Sequence, residues 1–162
     1  MDNFEKFYNK ALEFLSYRPR SEKEVRDRLK LKTQKSKLNS STQNSKLIDS
    51  IVEKLKEKKF IDDEGFAKGW VESRLRFKPR SLRLIQLELK QKGIDQEIIN
   101  NLQLTDDSDL KSAKQLVGKR IERLKGLPRQ KIYEKLGRYL ASKGFNWDTI
   151  KKSIDEILDK GV

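Results

Sequence analysis

Residues 92–95, Lys-Gly-Ile-Asp, and residues 143–146, Lys-Gly-Phe-Asn, are nearly the same four-residue stretch. The glycine of each stretch stands where a preceding helix would need a left-handed stop. The Asp or Asn at the end of each stretch is a typical N-cap for a following helix. The apolar residue before that cap is matched by another five positions further along, which is typical of a hydrophobic staple. The same helix–helix junction is therefore predicted twice in one chain.

Amphipathic helix patterns fill most of the chain on either side of these junctions. Apolar residues recur at three- and four-residue spacing in nine successive segments, and no segment alternates as a half-buried strand would. Residues 21–24, Ser-Glu-Lys-Glu, match a capping box at the start of the second segment. These patterns predict an all-α protein of nine helices.

The nine helices group into three similar sets of three. A basic turn separates the first helix of each set from the second, since the proline in it disfavours helix at the residue before it. These turns contain Pro19-Arg20, Pro79-Arg80 and Pro128-Arg129. We place three tandem helix-turn-helix-like repeats at residues 4–60, 61–104 and 105–160. Because a unit of this size has little core of its own, we expect the repeats to stack into an elongated, curved array.

One stretch of the first repeat departs from this pattern. Residues 33–45 consist of Ser, Asn, Gln, Thr and Lys with a single Leu. A polar segment of low complexity has little apolar surface to bury. We therefore expect a mobile polar loop over residues 33–45.

Positive charge is concentrated at the corner between the first and second helix of each repeat. The chain has 38 Lys and Arg against 25 Asp and Glu, a formal net charge of +13. Windows at the three corners, residues 18–37, 74–92 and 111–131, carry net charges of +6, +6 and +7, and the rest of the chain is negative. One such window alone is usually a solvated helix face, but recurrence at the same repeat position favours an anion-binding surface.

The candidate binding residues are the cations closest to these corners. Arg suits the role because its planar guanidinium group matches phosphate and carboxylate groups. We expect the corner side chains to be exposed and to contact an anionic partner: Arg18, Arg20, Arg74, Arg76, Lys78, Arg80, Arg83, Lys119, Arg120, Arg123, Lys125 and Arg129. Phe77 could stack on a base, but we expect it to anchor its corner in the core, and we expect Trp70 and Trp147 in the core as well.

Composition excludes several classes of catalytic site. The chain has no Cys and no His, which removes thiolate and imidazole metal sites and the Ser-His and Cys-His nucleophile systems. The acidic groups at residues 62–63 and 106–109 could hold Mg²⁺. Each group lies where a first helix begins, however, and helix capping is the interpretation we favour. We predict a binding protein rather than an enzyme, with no metal and no cofactor.

The sequence also predicts a compartment. No run free of charged residues is long enough to span a bilayer, and the N-terminus lacks the apolar segment of a secretory signal. We expect a cytoplasmic protein without a membrane partner.

Three segments carry a resemblance to a known family. They are residues 11–29 (Ala-Leu-x-Phe-Leu-Ser-x-Arg-Pro-Arg-Ser-Glu-x-Glu-Val-x-x-x-Leu), residues 60–67 (Phe-Ile-Asp-Asp-x-x-Phe-Ala) and, beyond Arg74, residues 89–94 (Leu-x-x-Lys-Gly-Ile). In this order and spacing they resemble the bacterial RecX family. The similarity extends over nearly the whole chain and is weaker after residue 105.

The resemblance implies three tandem three-helix repeats that modulate the RecA recombinase in homologous recombination, DNA repair and the SOS response. Family members bind along the groove of the RecA–DNA filament and inhibit ATP hydrolysis and strand exchange without being enzymes. The corner residues that align with the family are Arg18, Arg20, Arg74 and Arg80. The polar stretch 33–45 departs from the family pattern, as does the lack of a glycine before the Arg-containing helix of the second corner.

Two functions from different classes stay open. The first is a monomeric regulator that binds the RecA filament, and single- and double-stranded DNA more weakly, through a basic stripe. The alternative is a stand-alone DNA-binding protein, because helix-turn-helix domains are also three-helix units with a basic second helix.

Overall fold

The computed structural model of the protein describes residues 1–37 and 40–160. This part of the chain is helical and contains no strand, so the prediction of an all-α protein is confirmed. None of its helices is long and apolar enough to cross a membrane. The helices are α1 (Asn3–Tyr17), α2 (Glu22–Ser36), α3 (Ser41–Glu57), α4 (Asp63–Phe77), α5 (Leu82–Gln91), α6 (Gln96–Asn100), α7 (Asp106–Arg120), a 3₁₀ helix (Ile121–Leu124), α8 (Arg129–Ser142) and α9 (Trp147–Lys160).

The chain divides into two compact units. The first contains Met1–Lys68 and Leu89–Ile99, and the second contains Gly69–Glu88 and the chain from Asn100 onward. The division falls inside α4 and inside α5, so both of these helices contribute to both units. The repeat boundaries at 4–60, 61–104 and 105–160 stay a prediction.

Each unit has its own apolar core, formed where the stripes of three helices meet. In the first unit α1, α2 and α3 pack around Phe7, Ala11, Val25, Leu29, Ile48, Ile51, Val52, Leu55 and Ile61. In the second unit α7, α8 and α9 pack around Ala113, Leu116, Val117, Ile132, Leu136, Leu140, Phe145, Ile150 and Ile154. Burying each of these larger side chains contributes about 1.5–3 kcal/mol relative to exposure.

The start of α2 is capped by residues from much later in the chain. Ser21 accepts a hydrogen bond from the Glu24 backbone in a capping box, which confirms the predicted cap. The same hydroxyl donates to the Lys92 carbonyl oxygen, at 2.6 Å. The Glu22 backbone N–H donates to Asp63 Oδ1, at 2.9 Å. We call this group of contacts the first cap joint.

The start of α5 is capped in the same way in the second unit, and we call these contacts the second cap joint. The Ser81 backbone N–H donates to the Lys143 carbonyl oxygen, at 3.0 Å. The Leu82 backbone N–H donates to Asp109 Oδ1, at 2.8 Å. Ser81 Oγ accepts from the Leu84 backbone, at 3.2 Å. Backbone N–H groups that would be unsatisfied at a helix start therefore find distant partners in both units.

A glycine in a left-handed conformation makes each cap joint possible. Gly93 has φ +78° and Gly144 has φ +90°, which confirms the predicted left-handed stops. A Cβ on Gly93 would lie 2.5 Å from Lys23 Cβ, and a Cβ on Gly144 would lie 2.3 Å from Ser81 Oγ. Both glycines are therefore required by backbone conformation and by close packing.

The prediction of a loop over residues 33–45 is wrong for most of that stretch. Helix α2 continues to Ser36 and α3 begins at Ser41. Thr33 is buried, and Ser40 forms a capping box with Gln43 at the start of α3. Gln and Lys are good helix formers, so a polar composition does not prevent a helix. The connection shrinks to residues 37–40, of which residues 38 and 39 lie outside the described part of the chain.

Replacing Gly144 with Ala should destabilise the protein by about 2 kcal/mol or more, since a positive φ alone costs a non-glycine residue about 1–2 kcal/mol. The matched control is Gly118→Ala. Gly118 lies inside α7 with nothing within 4 Å of its would-be Cβ, so this change should stabilise by up to about 1 kcal/mol. Urea denaturation followed by circular dichroism measures both. Equal stability of the two variants would contradict the proposed role of the second cap joint.

Candidate anion-binding surface

The first corner lies between α1 and α2 and is organised by Glu24. The Arg18 backbone is extended before Pro19, as expected of a residue that precedes proline. Arg18 Nη2 lies 2.7 Å from Glu24 Oε1, and Lys92 Nζ lies 3.0 Å from the same oxygen. The Ser21 backbone donates to Glu24 Oε2, at 2.9 Å. Arg18 is therefore held in an ion pair, although its side chain is 42% exposed.

The carboxyl group of Glu24 is ionised well below the usual range. Burial alone would raise its pKa, but hydrogen bonds from Arg18, the Ser21 backbone and Lys92 outweigh burial and lower the pKa to about 2. The Glu24 side chain is only 15% exposed, so solvent screens these interactions weakly. Because Glu24 pairs with both Arg18 and Lys92, it connects the first corner to the residue that follows α5.

Two arginines of the first corner share one aromatic ring. The guanidinium groups of Arg20 and Arg28 lie 4.0 and 5.3 Å from the centroid of the Phe14 ring. Burial, and the positive charges of Arg18 and Arg28, lower the pKa of Arg20. Within the described residues neither Arg20 nor Arg28 has a carboxylate partner in an ion pair. The Arg28 side chain is exposed, whereas Arg20 is half-buried.

The second corner lies between α4 and α5, and Glu88 neutralises part of it. Glu88 accepts from Trp70 Nε1 at 2.8 Å, from Arg74 Nε at 2.7 Å and from Arg80 Nη1 at 2.6 Å. The Arg74 guanidinium also lies 4.5 Å from the Trp70 ring centroid. Burial would raise the pKa of Glu88, but the hydrogen bonds from Arg74 and Trp70 lower it overall.

The expectation of exposed corner cations is therefore wrong for Arg74 and Arg80, whose side chains are only 21% and 33% exposed. It is wrong for Arg20 as well, which is half-buried. At the second corner the exposed cations are Arg76, Lys78 and Arg83. The sequence predicted that the cations of this corner lie close together. It did not indicate that Glu88 forms ion pairs with two of them, Arg74 and Arg80.

Two aromatic residues expected in the core are on the surface. Phe77 is 67% exposed and Trp147 is 60% exposed. Pro79, Ser81 and Leu82 are the buried residues described at the second corner, and they anchor the turn where we expected Phe77 to do so. Trp70 is half-buried, and its indole N–H donates to Glu88.

The third corner differs in shape from the other two. The 3₁₀ helix follows α7, and α8 begins directly after Pro128, whereas α2 and α5 begin three residues after their prolines. Arg120 lies 3.5 Å from the Tyr139 ring centroid, Lys125 pairs with Glu122, and Arg129 lies within 3.5 Å of two carboxylates of α9. The side chains of the predicted binding residues in this corner are all exposed: Lys119, Arg120, Arg123, Lys125 and Arg129.

The acidic group at the start of α4 caps its own helix as predicted, whereas the N-cap of α7 is Thr105, whose side chain forms no capping hydrogen bond. Asp62 Oδ1 accepts from the Gly65 backbone, as predicted for a cap of its own helix. Asp63 and Asp109 instead cap α2 and α5, a role that sequence reasoning missed. Ser21 and Ser81 each follow a corner proline by two residues. This recurrence was the feature of the sequence that could have indicated similar capping of α2 and α5. The side chain of Asp106 lies outside the described structure, and no group of three or more acidic residues in the rest could hold a metal ion.

These features define a class of protein: helix-turn-helix-like three-helix units in tandem, with basic corners between the first and second helices. Family models for the first, second and third three-helix domains of RecX match residues 8–33, 62–101 and 106–154. The chain belongs to the RecX family. The resemblance seen in the sequence and the three tandem three-helix units are thereby confirmed.

Relatives and solved structures agree with this assignment. Regulatory protein RecX of Bacillus velezensis is 31% identical over 96% of this chain and 56% of its own length. Regulatory protein RecX of Clostridioides difficile is 30% identical over 93% of this chain and 68% of its own length. The crystal structure of RecX from Lactobacillus salivarius matches 95% of this chain and 96% of that chain, with a TM-score of 0.74 and 29% identity. The chain thus spans little more than half the length of the first of these relatives.

Removing Arg74 should destabilise the fold, whereas removing the neighbouring Arg76 should not. Arg74→Ala leaves the half-buried carboxylate of Glu88 with one charged partner fewer, at a cost of about 1–3 kcal/mol. Arg76 has no carboxylate partner among the described residues, so Arg76→Ala should change stability by less than about 0.5 kcal/mol. Urea denaturation of both variants checks this difference. Similar losses for both would mean that Glu88 does not organise the second corner.

The stability of the protein should depend on Glu24 as the pH falls. Its pKa of about 2 lies below that in the unfolded chain, so the folded state binds fewer protons between the two values. The resulting stabilisation, on the order of 2–3 kcal/mol, is present above the ordinary pKa and is lost as the pH falls towards 2. Glu24→Gln keeps a capping oxygen but removes the charge. Its destabilisation, measured by urea denaturation from pH 7 to pH 3, should shrink with falling pH, and a constant difference would contradict this account.

Proposed function

We propose that this protein is a non-enzymatic regulator that binds the RecA–DNA filament and inhibits RecA ATP hydrolysis and strand exchange. The observation that carries the proposal is the match to all three RecX domains, together with relatives that are named regulatory proteins. We propose that it acts in the cytoplasm as a monomer and needs no cofactor.

The available cations of the corners would make the contacts. At the first and second corners these are Arg20, Arg28, Arg76, Lys78 and Arg83; at the third they are Lys119, Arg120 and Arg123. Arg18, Arg74 and Arg80 would mainly position the corners, because they are paired with Glu24 and Glu88. Binding through several phosphate contacts would weaken steeply as salt rises.

A stand-alone DNA-binding protein is the second candidate. Two observations favour it. The chain contains three-helix units, and Arg83 is exposed in the first turn of α5, which is the second helix of the second three-helix unit. Affinity for RecA filaments, compared with affinity for the same DNA without RecA at physiological salt, separates the two functions. Equal affinities would favour the stand-alone protein.

Neutralising the available cations should weaken inhibition of RecA ATP hydrolysis on single-stranded DNA. The three double variants are Arg20→Gln with Arg28→Gln, Arg76→Gln with Lys78→Gln, and Arg120→Gln with Arg123→Gln. Each should raise the inhibitory concentration by roughly tenfold, and combined variants should lose more if the corners bind one filament together.

The matched control is Lys151→Gln with Lys152→Gln, which removes the same charge from the exposed face of α9. It should inhibit like the unmodified protein, and circular dichroism should stay native throughout. Unchanged inhibition by all three corner variants would overturn the role of the corners.

A further inference from the structure

Two exposed aromatic rings occupy the same position in the first two corners. Tyr17 is the last residue of α1 and is 75% exposed, and Phe77 is the last residue of α4 and is 67% exposed. Each is followed by a cation, a proline and an arginine. A single exposed apolar side chain is ordinary in a folded protein. Recurrence of an exposed ring at one repeat position, beside cations, points to a ligand.

The surroundings of Phe77 fit a nucleobase. The Arg76 guanidinium lies 5.2 Å from the Phe77 ring centroid. The ring borders a groove of about 770 Å³ between α4 and α7. Lys111, Gln115 and Ser108 supply an ammonium, an amide and a hydroxyl group to the lining, and Glu72 is the acidic residue there. An aromatic face with hydrogen-bonding groups and cations nearby is the chemistry by which proteins hold unpaired bases.

The surroundings of Tyr17 are also cationic. Arg18 follows it directly, and Arg20 lies three residues further on, stacked with Arg28 on the Phe14 ring. The lowered pKa of Arg20 reflects burial and the neighbouring positive charges. A phosphodiester placed here would relieve the repulsion between these guanidinium groups. The Tyr17 ring can then stack on the base of the same nucleotide.

We propose that Tyr17 and Phe77 are two separate stacking sites for unpaired nucleobases of single-stranded nucleic acid, and that the adjacent cations hold its phosphates. This inference rests on the proposed binding of DNA, and it specifies unpaired nucleobases as the ligand of the two rings. In a duplex the faces of the bases are covered by their neighbours, so the rings have no role in binding double-stranded DNA. The two rings give the protein a preference for single strands that charge alone would not give.

The test uses the full chain without RecA and three fluorescein-labelled probes of equal length: oligothymidylate, a strand of abasic sites and a duplex. The variants are Tyr17→Leu, Phe77→Leu and their combination, because Leu keeps an apolar side chain and the net charge while removing the aromatic face. Phe60→Leu is the matched control, since Phe60 is 52% exposed but lies in the connection between α3 and α4 rather than at the end of a helix that leads into a basic corner. Circular dichroism confirms folding, and Ala variants repeat the measurement.

Each corner variant should bind oligothymidylate roughly five- to hundredfold more weakly. The slope of affinity against salt should not change, because no charge has been removed. Binding to the abasic strand and to the duplex should stay the same for all variants, and Phe60→Leu should behave like the unmodified protein.

Unchanged affinity of the double variant for oligothymidylate would overturn the proposal. An equal loss on the abasic strand would overturn it too. If the variants keep their affinity for bare DNA but no longer inhibit RecA, the rings dock on the recombinase, and base stacking is refuted while the proposed function stands. Conversely, stacking on bare DNA without any inhibition of RecA by the unmodified protein would support the two sites and refute the regulator.

Discussion

Capping of a helix start by distant residues is the constraint on which the arrangement within each unit depends. At the first cap joint the backbone and side chain at the start of α2 bind Lys92 and Asp63. At the second, the start of α5 binds Lys143 and Asp109. Each contact satisfies a polar group that would otherwise be unpaired at a helix terminus. The left-handed glycines bring the two backbones close enough for these bonds to form.

Two glutamates, Glu24 and Glu88, decide which cations of the first two corners are neutralised. Glu24 belongs to the capping box of α2 and binds both Arg18 and Lys92, so part of the first corner is neutralised by the contacts that order it. Glu88 is not part of the second cap joint, but it forms ion pairs with Arg74 and Arg80 and so neutralises part of the second corner. The arginines that align with the family in the sequence therefore include three that hold the corners in shape. Their neighbours, such as Arg76 and Arg28, are free of carboxylates within the described residues.

The features that could be predicted from the sequence are those set by neighbouring residues. The turns at Gly93 and Gly144 and the capping box at Ser21 are local, and all three are confirmed. The hydrogen bonds of Asp63 and Asp109 to the starts of α2 and α5 could not be predicted, because residue spacing indicates contacts within an element and not bonds between distant elements. Phe77 and Trp147 were misplaced because periodicity assigns a residue to a helix face without showing whether anything packs on that face. The helices over residues 33–36 and 41–45 were missed because composition was weighed above helix propensity.

The separation of the two sides of the first cap joint has a consequence for synthesis of the protein. Ser21 and the Lys92 carbonyl are 71 residues apart in the chain. When α2 leaves the ribosome, the residues that complete its first turn have not yet been made. The core of α1, α2 and α3 and the local capping box of Ser21 and Glu24 can form at that stage, but the Ser21 hydroxyl and the Glu24 carboxylate lack their partner Lys92 until the end of α5 emerges. The contacts that complete the first basic corner therefore form last in its unit, after Lys92 has been translated.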